Sequence, residues 1–214
     1  MSDVLEVSEE ALDHLRRSDD VMAGLIELHG PLDLEERERR RGRPADAYGS
    51  LLRSIVGQQL STKAARSIYT RLTGLFGGTT PSPAELLQVD AETLRSVGLS
   101  RPKVKYIRDL AQHVEDGSLH LGSLDAMSDE AVIRELTAVK GLGEWTAHMF
   151  LMFHLRRPDV LPVGDLGVRR AVERHYGLEE IPDVETLERL GERWSPYRTL
   201  ASLYLWHSLD NAPD

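Results

Sequence analysis

The stretch Leu136-Thr137-Ala138-Val139-Lys140-Gly141-Leu142-Gly143-Glu144-Trp145-Thr146-Ala147 decides how the rest of the chain reads. Apolar residues at helical spacing run up to Val139, two glycines follow one residue apart, and a second helical pattern starts at once. Glycine at both positions lets the backbone take positive φ and lets another backbone approach closely. The turn's amides then face outward at the N-terminus of the second helix, where a phosphate fits without any side-chain charge. The same residues also fit a plain αα-hairpin with a glycine cap, and Gly-x-Gly alone does not choose between the two.

Working outward, helical patterns with their own caps occupy most of the chain. Ser128 caps the first helix of the hairpin, with Val132, Ile133 and Leu136 inward, and the second runs from Glu144 to Leu155. Upstream, Ser100 caps Pro102 to Glu115, with Val104, Ile107, Leu110, Ala111 and Val114 inward and proline at an allowed first-turn position. A short helix spans Asp90 to Val97, and Gly77 to Pro83 reads as a linker. Asp46 caps a strongly apolar helix through Val56, Gly57 to Ser61 interrupts it, and Ser61 caps the next. Ser8 caps a helix through about Arg17, and Val21 to Leu28 reads as another. Downstream, Leu166 to Tyr176, Val184 to Trp194 and Arg198 to His207 complete the count. Strand alternation is confined to Leu119-His120-Leu121, which is too short to form a sheet, so the reading is all-α.

Composition sets limits. A chain of 214 residues fits one large domain or two small ones and can bury a core without staples. There is no cysteine, which removes disulfides, thiolate catalysis and cysteine-held metal centres. That fits a reducing compartment, the cytoplasm or nucleoid. The first residues show no basic and apolar signal pattern, and no apolar run approaches a membrane span. The net charge of −9 points away from nonspecific nucleic-acid binding, which uses Lys and Arg. Locally the balance differs: hairpin amides bind phosphate without formal charge, and Arg37 to Arg43 is a basic run. That run reads either as a DNA contact or as a solvated loop, the commoner state of charge runs.

About twenty residues beyond the hairpin comes Leu161-Pro162-Val163-Gly164-Asp165-Leu166-Gly167-Val168-Arg169-Arg170. With Ile55-Val56-Gly57-Gln58-Gln59-Leu60-Ser61-Thr62-Lys63-Ala64-Ala65 before it and Glu192 to Trp206 after it, four ordered motifs line up. Together they resemble the helix-hairpin-helix DNA glycosylases, and among them the AlkA-type 3-methyladenine DNA glycosylases, over about Tyr48 to His207. The resemblance implies two helical subdomains flanking a DNA-binding cleft, one spanning 46–155 with the hairpin at 136–147, the other 1–45 plus 156–214. It also implies a short version, with no room for the amino-terminal β-domain of full-length AlkA.

The implied substrate is double-stranded DNA with alkylated purines, and the implied reaction is hydrolysis of the N-glycosidic bond by a monomer with no catalytic cofactor. Breaking that bond leaves a cation-like sugar, which one carboxylate can stabilise while it orients or deprotonates a water. Asp165 takes that place in the motif; the residues alone favour a helix N-cap and the resemblance reverses that reading, but a cap is fixed in place, so the roles are compatible. The stacked base must be extruded. Leu60, with Gln59 and Ser61, sits where the family places its wedge, although Leu60 also fits a core position between two helices. Trp145 and Trp206 match pocket positions that would attract a positively charged alkylated purine, although tryptophans at helical spacing are commonly core. Met149 and Leu166 stand where the AlkA type has tyrosines, which puts the lesion range in doubt. Bifunctional relatives carry a lysine where this chain has Trp145, so no strand cleavage is expected. The resemblance further implies phosphate contacts from Lys140, Gly141, Gly143, Arg169 and Arg170, and a structural Na+ or K+ on the carbonyls of Thr137, Val139 and Leu142. Two other readings stay open: a DNA-binding module without catalysis, and a glycosylase for oxidised, deaminated or mismatched bases.

Overall fold

The computed structural model describes residues 5–34 and 44–209; the basic run 37–43 lies outside them. The described residues form helices and turns with no strand. The chain divides into two compact units, Gly42–Phe150 and Met1–Arg41 with Leu151–Asp214.

The first unit is built on α3 (Ala47–Gly57), which follows α1 (Glu9–Ser18) and α2 (Asp20–His29) of the other unit. Asp46 caps α3 by accepting from the Gly49 amide at 2.7 Å, and Leu51, Leu52, Ile55 and Val56 are wholly buried. Around it pack α4 (Thr62–Gly74) and α7 (Arg101–Glu115), with α5 (Pro83–Gln88) and α6 (Ala91–Ser96) against α7. The linker expected up to Pro83 ends one residue earlier. Ser82 and Glu85 form a capping box and Pro83 opens α5, a helix too short for its periodicity to register. A 3-10 helix at Leu121–Ala126 leads into α8 (Asp129–Thr137), which Ser128 caps. Ile133 and Val114, expected inward, are half-buried. The second hairpin helix, α9 (Glu144–Phe153), ends two residues short of the expected end.

The second unit is organised around α12 (Arg198–Ser208), whose residues from Thr199 to Trp206 are all buried. It packs on α2 and on α10 (Leu166–Tyr176), and α11 (Val184–Gly191) runs on into the 3-10 turn Glu192–Trp194. Asp19 ties this unit together. It caps α2 through the Val21 and Met22 amides, and it accepts from Tyr176 Oη at 2.7 Å and Trp194 Nε1 at 3.1 Å. A buried carboxylate with this many donors is satisfied rather than stranded.

Candidate functional site

Asp165 sits at the start of α10. Its backbone is extended, and its Oδ1 accepts from the Val168 amide at 2.8 Å, so it is the helix N-cap. The same oxygen accepts from Trp206 Nε1, also at 2.8 Å. The carboxylate is 8% exposed, and the indole, 1% exposed, is stacked on Phe153 at 6.0 Å. Trp206, matched to a pocket position but also readable as core, has its ring covered and its N–H on the carboxylate. Gly167 makes room for the pair: a Cβ there would lie 3.0 Å from Asp165 Oδ1 and 3.1 Å from Trp206 Nε1.

The loop carrying Asp165 is anchored at its base. Asp159 takes a forked contact from Arg198, Nε to Oδ1 at 2.7 Å and Nη2 to Oδ2 at 2.9 Å, and a third from Ser195 Oγ at 2.8 Å. Burial pushes the Asp159 carboxyl up, but the hydrogen bonds from Arg198 and Ser195 outweigh it and hold the group below its ordinary value. Thr199 Oγ1 donates to the Arg157 carbonyl at 2.7 Å and accepts from the Val160 amide at 3.0 Å. The Ser195 to Thr199 motif therefore fastens the aspartate loop to α12. Asp159 and the Trp206–Asp165 bond escaped the sequence reading because both are long-range pairings with no local pattern.

In the other unit the hairpin closes through a Leu142 amide to Val139 carbonyl bond at 3.1 Å. Of the two glycines only Gly141 has positive φ, +88°, and a Cβ there would strike the Tyr106 ring at 2.3 Å. Gly143 has neither feature: nothing lies within 4 Å of its would-be Cβ. The expectation that both glycines are conformationally required is corrected to Gly141 alone. The first turn of α9, beginning at Glu144, is the positive end of that helix's dipole. Trp145 stands there with 41% of its surface exposed, whereas Met149, one turn on, is buried.

Lys140 presents an exposed side chain, with its ammonium 3.5 Å from Asp109 Oδ1 and its amide bonded to Asp109 Oδ2 at 2.9 Å. In the loop after α3, Gln59 has φ 57°, and Leu60 is 39% exposed, which removes the core reading of that leucine. Gln59 and Ser61 beside it are also exposed. Back at the aspartate loop, Leu166 is 47% exposed, Arg170 is exposed, and Arg169 Nε donates to the Pro182 carbonyl at 2.7 Å.

Comparison with known proteins places this arrangement. Residues 52–196 match the model of the HhH-GPD superfamily of base excision DNA repair proteins. The DNA-3-methyladenine glycosylase 1 of Schizosaccharomyces pombe is 32% identical over 195 residues, 90% of this chain and 84% of that one. Among solved structures, a DNA-3-methyladenine glycosidase from Bacillus halodurans is 39% identical with a TM-score of 0.82, covering 97% of this chain and 92% of the other. The S. pombe glycosylase Mag1, in complex with abasic DNA, is 30% identical with a TM-score of 0.83, covering 96% and 100%. The chain belongs to the HhH-GPD superfamily of base excision DNA repair proteins, on the branch of the DNA-3-methyladenine glycosylases.

Proposed function

We propose that this protein is a monofunctional DNA glycosylase. It extrudes an alkylated purine of the 3-methyladenine type from double-stranded DNA and hydrolyses the N-glycosidic bond, leaving an abasic site. The observation that carries the proposal is the buried Asp165 carboxylate, held by the Val168 amide and the Trp206 indole at a helix N-terminus in a chain of this family. As the glycosidic bond breaks, positive charge grows on the sugar, and a fixed carboxylate stabilises it more in the transition state than in the ground state. The same carboxylate orients the attacking water and takes its proton. Trp206 acts as a positioning residue, since a donor on Oδ1 fixes the carboxylate plane.

The remaining assignments follow the chemistry of each exposed group. Leu60, flanked by Gln59 and Ser61, enters the stack as the base leaves. Trp145, 41% exposed, receives the cationic purine against its ring; neither Met149 nor Leu166 adds an aromatic ring. The turn amides of Gly141 and Gly143 and the side chains of Lys140, Arg169 and Arg170 hold backbone phosphates. The carbonyls of Thr137, Val139 and Leu142 suit a Na+ or K+ that would add positive charge beside a phosphate. Val139 uses one lone pair in the turn and keeps a second. The protein acts as a monomer.

The test is a panel of duplexes, each with one defined lesion, incubated with excess enzyme. Excision of alkylated purines should leave an intact strand that breaks only on alkali treatment, and borohydride should trap no adduct. Strand cleavage with a trapped amine adduct, or no excision of any alkylated base, would refute the assignment.

A further inference from the structure

Within the unit Gly42–Phe150, the hairpin and the loop carrying Leu60 are both fastened to one face of α7. Lys103, Tyr106 and Asp109 follow each other at three-residue steps and so form one ridge. Lys103 Nζ donates to the carbonyls of Val56 at 2.7 Å and Gln58 at 2.6 Å, where α3 ends and the loop begins. A cation at that place suits the helix C-terminus and satisfies two carbonyls that have no intrahelical donor. The Tyr106 ring lies against Gly141, so close that no Cβ fits. Asp109 holds the Lys140 amide. The circle closes through Gln58, whose Nε2 donates to the Gly141 carbonyl at 2.6 Å across 83 residues of sequence. A cavity of about 520 Å³ lies between the two loops, lined by Gln58, Gln59, Lys103, Tyr106, Gly141 and Gly143.

We propose that the α7 ridge fixes the distance between the phosphate-holding hairpin and the intercalating loop, and that Lys103 is the positioning residue through which Leu60 is presented to the duplex. The inference rests on the reading of Leu60 as the wedge. Base extrusion needs Leu60 at a set distance from the phosphate that the hairpin grips. The loop that presents it has Gln59 in the left-handed region, a conformation a flexible loop would leave. Lys103 pins the residues on the helix side of Gln59, and Gln58 carries the register across to Gly141. Breaking either tie frees the wedge without touching the hairpin amides.

The experiment is stopped-flow fluorescence of 2-aminopurine beside a single N7-methylguanine in a duplex, together with binding to an abasic duplex and circular dichroism. The variants are Lys103→Met, Lys103→Arg, Leu60→Ala and the double variant Lys103→Met/Leu60→Ala. Lys103→Met should slow extrusion on the order of tenfold or more, as expected when a reacting part is misplaced by about 1 Å. Abasic-duplex affinity should change little, and Lys103→Arg should recover part of the rate, because a guanidinium still donates to carbonyls. In the Leu60→Ala background Lys103→Met should cost nothing further, since residues acting through one another are non-additive. An unchanged extrusion rate for Lys103→Met, or an equal loss with and without Leu60, would overturn the inference. If Lys103→Met fails to fold, Gln58→Met, which cuts the tie to Gly141, is held to the same criteria. A Leu60→Ala variant that extrudes normally would instead refute the wedge assignment itself, with excision by the wild type left standing.

Discussion

A methyl group on Gly167 would press on both ends of the Trp206–Asp165 hydrogen bond, Asp165 Oδ1 at 3.0 Å and Trp206 Nε1 at 3.1 Å. Gly167→Ala demands no unusual backbone, so the protein should fold while the pair is forced apart by a few tenths of an ångström. If Asp165 is the reacting carboxylate proposed above, single-turnover excision should fall on the order of tenfold, because the bond fixes its geometry. Trp206→Phe keeps a ring against Phe153 and removes only the N–H donor to Oδ1. A hydrogen bond to a charged group contributes about 1.5–3 kcal/mol, which sets the upper bound of the effect at roughly 10²-fold in rate. Abasic-duplex affinity should stay near wild type in both variants, and a rate unchanged in both would mean that the indole only packs.

At the scale of elements, the hairpin separates its two glycines. Gly141→Ala meets both a positive φ and the Tyr106 ring, so it should destabilise the unit by about 1–3 kcal/mol and weaken duplex binding. Gly143→Ala meets neither and should fold as wild type; any loss of DNA affinity it shows then reports a phosphate crowded by the new methyl. Thermal melts paired with abasic-duplex titrations separate the cases. The sequence shows that a turn is there, but φ at each glycine is set by what packs against it, and Tyr106 lies 35 residues away in the chain. Local signals carried well where the physics is local: Ser8, Asp46, Ser61, Ser100 and Ser128 are all caps with side-chain bonds to the first turn. They failed where a partner is distant. Asp165 could be read as a cap from the helix that follows it, but its bond to Trp206 spans 41 residues and leaves no periodic trace. Leu60 looked equally suited to core and surface because the turn at Gln59, with its positive φ, is invisible in composition.

At the scale of the whole molecule, the proposal is that an acidic protein of net charge −9 holds DNA through few formal charges. Hairpin amides fit that requirement, so the salt dependence of duplex binding should be shallow. The slope of log K against log salt should match about two to four phosphates at roughly 0.9 each. A slope matching about six to ten contacts would shift the DNA contact to lysine and arginine side chains such as those of the basic run 37–43.

Acid should act on the anchor of the aspartate loop. Asp159 is held below its ordinary carboxyl value, so its contribution is present above the unfolded carboxyl value and is lost as pH falls through the folded one. Asp159→Asn should be less stable than wild type near neutral pH, and the difference in Tm should shrink as the pH is lowered into that range. A difference that stays constant with pH would assign the effect to packing.

The most direct measurement is single-turnover base release from a duplex carrying one alkylated purine, comparing wild type with Asp165→Asn, and with abasic-duplex affinity and circular dichroism on the same preparations. The substitution keeps size and an oxygen for the Val168 amide and removes the charge. The expected result is a loss on the order of 10²-fold or more in rate, with affinity and fold unchanged, because the charge acts in the transition state. Near-wild-type release by a folded Asp165→Asn would contradict it and leave Asp165 as the cap of α10 alone.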